Sequence, residues 1–450
     1  MKRIAQVLFG ISMVSALAAP VAANEYTDVI DAFDTEIGDP FDLNLRVGYQ
    51  REYEQGLIRR ENFRGTPHEW DAYAYTNMFE FERTSHILDF ELDIGLYKDI
   101  SLRVGVPLVL NDTRELRARQ NMQWADVNGI AGADELFALP FKSPERSGVD
   151  HIEVGLWWGI LDQSRDDTKP NWTIFAEGRF AVGDQLEAAC DKYGAHNCNG
   201  DDLAYTAEDG TAHDIDFNTK GGISRGVNEL RAGTRLSRRY GWLDPFFGFE
   251  ALIGWPQEGA AYQISGNAAG QINDMPPVVG RLDFGLEFIP WDVPEMHRKL
   301  VIGLGGGAMY HSEGREYTPL FDALGTSPYF RTQSYVDFNG NGQQDPGEAA
   351  AIDTWEGITD VENYATFYSQ LFVSVQPAKY IKLRVGSNLG HETEHFITKT
   401  DQCPADQMRS DGTCAVYNYG HRPELDAPGN RFRAEQTLLW TLFVDLIAQF

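Results

Sequence analysis

Residues 86–112 read HILDFELDIGLYKDISLRVGVPLVLND, and their side chains change character with a period of two. Leu88, Phe90, Leu92, Ile94 and Leu96 form one apolar face, YKD turns the chain, and Leu102, Val104, Val106, Leu108 and Leu110 form the next. Asp89, Glu91, Asp93 and Arg103 stand between them. Successive strand side chains point to opposite faces, so this pattern fits a wall between lipid and a polar lumen. Similar segments, each reaching the roughly 9–11 residues that cross a bilayer as a strand, recur near residues 42–54, 80–97, 101–111, 149–162, 171–183, 227–239, 245–256, 280–290, 299–312, 363–376, 380–395 and 431–450. The predicted fold is all-β: a transmembrane antiparallel up-and-down barrel of about twelve strands, with short turns on one side and six long connections on the other.

The N-terminus fits export. MKR precedes the apolar run IAQVLFGISMVSALAA and small residues ending VAAN, which reads as a signal peptide over residues 1–23, cleaved after Ala23. Residues 24–41 are expected as a periplasmic N-terminal segment, and residues 42–450 as the barrel with its extracellular loops. No later stretch is long and apolar enough to span a bilayer as a helix. The mean hydropathy of −0.37 is what alternating strands and polar loops give.

At the other end, TLLWTLFVDLIAQF places Leu438, Trp440, Leu442, Val444, Leu446 and Ala448 on one face, with Thr437, Thr441 and Asp445 on the other. This strand and its terminal Phe450 resemble the closing strand of bacterial outer-membrane β-barrels. The resemblance covers nearly the whole mature chain through the leader, the alternating strands and the final Phe. It implies residence in the outer membrane of a Gram-negative cell, contact with lipid and lipopolysaccharide, and recognition of Phe450 by the barrel assembly machinery. The hairpin GLYKDISLRVGVPLVL also resembles barrels assigned as transporters in aromatic-degradation pathways.

Two devices are expected to order the long loops, which bury too little apolar surface to order themselves. In an exported chain the four cysteines read as disulfides, most simply Cys190–Cys198 and Cys403–Cys414. VDFNGNGQQDPGE carries the polar skeleton of a calcium loop, with Asp337, Asn339, Asn341, the Gln343 carbonyl, Asp345 and Glu348 as ligands and Gly342 at the turn. A weakly held structural calcium is the cofactor this implies. The loops are also acidic: residues 184–226 hold nine Asp/Glu against three Lys/Arg, and residues 313–362 hold ten against two. With a net charge of −29, nucleic-acid binding is disfavoured.

HETEH, residues 391–395, matches a zinc-peptidase pattern by letter, but on a strand its two histidines would stand roughly 13 Å apart. His151, His311 with Ser312, and His391 fall near the predicted outer rim without a recognisable catalytic set, so no enzyme is predicted and no catalytic residue is named. The inward register is more informative. It collects the acids Asp89, Glu91, Asp93, Glu153, Glu177, Glu229, Glu250, Asp283, Glu287 and Asp445, and the bases Arg46, Arg103, Arg179, Arg231, Arg235, Arg281, Lys382 and Arg384. A porin-like narrow channel or transporter for small polar solutes is expected. The alternatives are a non-conducting scaffold whose calcium-ordered loops bind a partner or lipopolysaccharide and, third, an outer-membrane enzyme.

Overall fold

The structure is a computed structural model that describes residues 24–30, 32, 42–63, 73–119, 136, 141–189, 204–206, 212–214, 221–262, 270–327, 330, 356–418 and 420–450. Twelve strands form its wall: β1 (Leu43–Phe63), β2 (Tyr73–Tyr97), β3 (Ile100–Ala118), β4 (His151–Leu161), β5 (Asn171–Ala181), β6 (Val227–Ser237), β7 (Leu243–Pro256), β8 (Val279–Val293), β9 (Arg298–His311), β10 (Tyr364–Ala378), β11 (Ile381–Glu392) and β12 (Phe432–Gln449). Each pairs antiparallel with the next, and β12 returns to β1 in the register Val47↔Leu446 and Tyr49↔Val444. The sheet therefore closes with no unpaired edge, which a lipid-embedded sheet requires.

The lipid-facing residues are those the alternation placed outward. Leu45, Phe90, Leu156, Phe249, Phe284, Leu304, Leu371, Val385 and Leu446 are exposed large apolar side chains distributed around the wall. Tyr97, Tyr240, Trp242 and Tyr380 are exposed beside the short turns, the position of an interfacial aromatic girdle. No helix among the described residues is long and apolar enough to cross a membrane, as befits a chain that crosses with strands.

Three strands extend further than the sequence pattern indicates. β1 has 21 residues, β2 has 25 and β3 has 19, against 11 in β4, β5 and β6. Their outer thirds, with the start of β12, rise above the rest of the wall. Polarity reverses there: Glu80, Glu82 and Arg117 face outward to water, while Phe79, Phe81, Leu116 and Phe432 are buried on the inner side. Lipid-facing alternation stops at the membrane surface, so a reading keyed to it ends the strands early. Register shifts at Gln55/Leu57 and Ile58/Arg59 mark the level, and Gln436, with φ of 53°, takes the extra residue on β12.

Inside the raised wall sits a small apolar core. Ile58, Phe79, Phe81, Leu116 and Phe432 meet Leu136, Leu320, Leu324, Phe330, Ile397 and Leu425 from the outer loops. A short helix, Phe321–Gly325, carries its whole length into this cap. Its Asp322 accepts hydrogen bonds from Arg146 Nη2 (2.6 Å) and Nη1 (3.0 Å), Ser143 Oγ (2.6 Å) and the Ala189 amide (3.1 Å). Both charges are buried, and both are compensated.

Candidate functional site: a charged lumen and its inner plug

Cross-strand register builds the lumen. Arg46 lies directly opposite Glu91, Asp93 opposite Arg103, Glu153 opposite Arg179, Glu177 opposite Arg231, and Glu250 opposite Arg281. The register brings opposite charges into contact: Arg46–Glu91 at 2.9 Å, Arg103–Asp93 at 2.6 Å, Arg179–Glu153 at 2.7 Å and Arg231–Glu177 at 2.7 Å. Arg179 reaches on to Glu229 (3.5 Å), while Arg281 joins Asp283 (2.9 Å) and Glu250 (3.7 Å). Arg235 lies 4.0 Å from Glu250, and Asp89 accepts from Gln50. Asp445 stands opposite Arg384 and fills the space beside Gly48, where a Cβ would come within 2.6 Å of its Oδ1.

Several guanidinium groups are also held by rings. Arg103 lies 4.2 Å from the Trp157 centroid, and Arg384 lies 4.3 Å from Phe372. Ion pairing and ring stacking fix these side chains against the wall, which keeps the middle of the lumen open.

Part of the N-terminal segment lies inside the barrel. Residues 24–30 were expected in the periplasm; the structure places them in the lumen, across its inner mouth. Glu25 pairs with Lys382 (3.0 Å) and lies 4.0 Å from Arg384. Tyr26 donates to Asp283 (3.0 Å), packs 4.7 Å from the Phe246 ring, and lies under Arg235 at 4.4 Å. Thr27 Oγ1 meets Ser237 Oγ at 2.8 Å, and its carbonyl accepts from Thr173 Oγ1 at 2.8 Å. The wall is shaped for this insertion: a Cβ on Gly248 would lie 2.1 Å from the Tyr26 hydroxyl. Just outside, Ala32 exchanges two backbone hydrogen bonds with Lys98 in the β2–β3 turn.

Three cavities line up along the axis. An inner-mouth cavity of about 360 Å³ reaches residues 27–30 from below, and a central cavity of about 530 Å³ reaches residues 28–30 from above. Residues 28–30 thus divide them. The central cavity meets an outer one of about 390 Å³ at Glu52, Ile87, Pro107 and His151, where His151 bridges Asp150 and Glu153 at 3.0 Å each. Leu186, Ile223, Arg225 and residues 316–319 line the outer cavity on the loop side. Burial pushes the Glu316 carboxyl up, and Arg225, 3.5 Å away, offsets this only in part.

The other expected residues fall as follows. Cys403 and Cys414 are joined, with a Cα–Cα distance of 5.7 Å. Cys190, Cys198 and the calcium ligands Asp337, Asn339, Asn341, Gln343, Asp345 and Glu348 lie outside the described residues. His391, next to the last residue of β11, faces outward, whereas His395 is buried in a separate short strand, so HETEH does not form a helical ligand pair. His311 and His395 sandwich the Tyr364 ring at 4.2 and 4.0 Å, and Ser312 Oγ accepts from the Val278 amide and donates to the Glu313 carbonyl. Phe450 pairs with Leu43 through two backbone hydrogen bonds at the seam.

Sequence reasoning missed Glu25, Tyr26 and Thr27 as lumen residues. The available signal was the lumen-facing Gly248, which leaves room for the Tyr26 ring, whereas Gly285, Gly303 and Gly305 make room for Phe246 and Phe372 of the wall itself.

No protein-family model and no curated protein matches the sequence. Among solved structures, an outer-membrane channel from Pseudomonas putida F1 is similar over 94% of this chain and 100% of its own, at 10% identity and a TM-score of 0.37. A FadL homologue of Pseudomonas aeruginosa is similar over 92% and 90%, at 9% identity and 0.35. The outer-membrane protease OmpT of Escherichia coli is similar over 91% and 98%, at 8% and 0.27. The closed strand register, the outward apolar belt and the charged lumen make this chain a closed twelve-stranded antiparallel β-barrel of the kind that spans a membrane.

Proposed function

We propose that the protein is a narrow outer-membrane channel for small polar solutes, closed at its inner end by its own N-terminal segment. One observation carries the reading: residues 28–30 separate two polar cavities on the barrel axis. The segment bearing them is held mainly by hydrogen bonds and one close ion pair, contacts that water can replace. Acids exceed bases among the wall charges named above, ten to eight, so the open path favours cations over anions. Signal-peptide removal, assembly through Phe450 and contact with lipopolysaccharide belong to the same proposal, as expected of an exported barrel with an apolar belt.

Deleting residues 24–32 tests this in planar bilayers. The deletion should give steady, cation-selective steps where the full mature chain gives only brief ones. A deleted barrel that folds but stays silent would mean a lumen filled by its own ion pairs, and would favour the non-conducting scaffold. A weak structural calcium at residues 337–348 remains a separate proposal. Calorimetric titration against a Glu348→Ala variant decides it, equal heats from both proteins ruling it out.

A further inference from the structure

We propose that signal-peptide cleavage before Asn24 creates one of the plug's anchors: the new α-ammonium group seats against the paired carboxylates of Asp244 and Glu287. The inference rests on residues 24–30 being the inner plug.

Asp244 on β7 and Glu287 on β8 are directly opposite partners in the sheet, and both are fully buried. Neither Asp244 oxygen has a hydrogen-bond partner among the described residues, and neither has Glu287 Oε1. The Asn24 and Ser237 side chains approach Asp244, and Lys299, Arg239 and Lys382 act on the two acids through space. Two adjacent buried carboxylates with three unfilled oxygens are costly, because each has lost water and each repels the other. Something with positive charge and several donors belongs there.

Asn24 is the residue placed to supply it. It is fully buried, its Nδ2 donates to the Asp244 main-chain oxygen at 3.4 Å, and the next amide, Glu25 N, donates to Glu287 Oε2 at 3.4 Å. The α-nitrogen belongs to the residue held between these contacts. In the precursor it is an amide with one N–H and no charge. After cleavage it carries three N–H donors and, with a reference pKa of about 8, a positive charge at neutral pH. Three donors match three unfilled oxygens, and bonds of this kind are among the stronger ones. Closure of the barrel is thereby tied to completed export: a chain that keeps its leader lacks the group that seats the plug.

The experiment compares refolded mature chain beginning at Asn24 with the same chain carrying Gly-Ser before Asn24, each with and without Asp244→Asn/Glu287→Gln. Hydrogen exchange of the amides of residues 25–27, read by mass spectrometry, reports seating whether or not the barrel conducts. The extension should speed exchange roughly tenfold or more, the scale of one charge-assisted hydrogen bond. Neutralising both acids should speed it similarly in the mature chain, with little further change in the extended one. Equal protection in mature and extended chains overturns the proposal. So does better protection after neutralisation of the mature chain, the result expected if the two acids only repel. A silent barrel that still shows the predicted exchange pattern would overturn the channel reading and leave this one standing.

Discussion

At the outer end of the lumen, fifteen buried side chains from the raised wall and the outer loops form an apolar core beside a buried Arg146–Asp322 pair. At the inner end, residues 24–30 lie across the lumen, held by Glu25–Lys382, Tyr26–Asp283 and Thr27–Ser237. The outer cap resembles a small folded domain, in which each fully buried large apolar side chain contributes about 1.5–3 kcal/mol. The inner plug is a short segment whose polar contacts contribute about 0.5–1.5 kcal/mol each, because water competes for the same groups. The two ends therefore differ in what moving them requires: the cap must unfold locally, while the plug need only exchange its partners. Gating is expected at the inner end.

The sharpest way to break this contrast is to damage the cap. Asp322→Ala leaves the Arg146 guanidinium buried without its carboxylate, and should destabilise the cap by about 3–5 kcal/mol. Hydrogen exchange in residues 320–327 should rise steeply while the barrel strands stay protected. If conductance then rises as much as on plug deletion, the cap is a second gate and the contrast fails.

A smaller effect is expected at the plug. Lys382→Met removes the close partner of Glu25, leaving Arg384 at 4.0 Å, and should weaken seating by about 1–3 kcal/mol. Open time in single-channel records should lengthen roughly tenfold or more. An unchanged record would show that the ion pair does not hold the plug.

The smallest effect belongs to the loop surface. Lys399 contacts Glu362 at 2.9 Å and Glu313 at 3.4 Å, with all three side chains substantially solvent-exposed. Lys399→Ala should cost about 0–1 kcal/mol and leave conductance alone. A larger loss in thermal unfolding would mean the outer loops act as one cooperative unit with the cap.

The wall was legible because lipid on one side and ions on the other enforce strict alternation. Asp89, Glu91 and Asp93 interleaved with Leu88, Phe90 and Leu92 allow one arrangement in a membrane; the register sets Glu91 opposite Arg46 and Asp93 opposite Arg103, while Asp89 lies opposite Gly48 and Pro107. The cap was not legible, since Phe79, Phe81 and Leu116 keep a period of two with faces reversed, and their burial depends on Leu324 and Leu425 more than two hundred residues away. The plug was hidden for another reason. Glu25, Tyr26 and Thr27 form a short polar stretch with no period, and only the space beside Gly248 and the charges of Lys382 and Asp283 give it a place.

The central claim is that residues 24–30 are a movable inner gate. Thr27 and Ser237 offer a direct test, because their hydroxyl oxygens lie 2.8 Å apart across the plug–wall contact. In a Thr27→Cys/Ser237→Cys variant, single-channel current should be absent while the new disulfide is closed and should appear after reduction, with wild type under the same reductant as control. Current of equal size and frequency in the oxidised and reduced states would contradict the account.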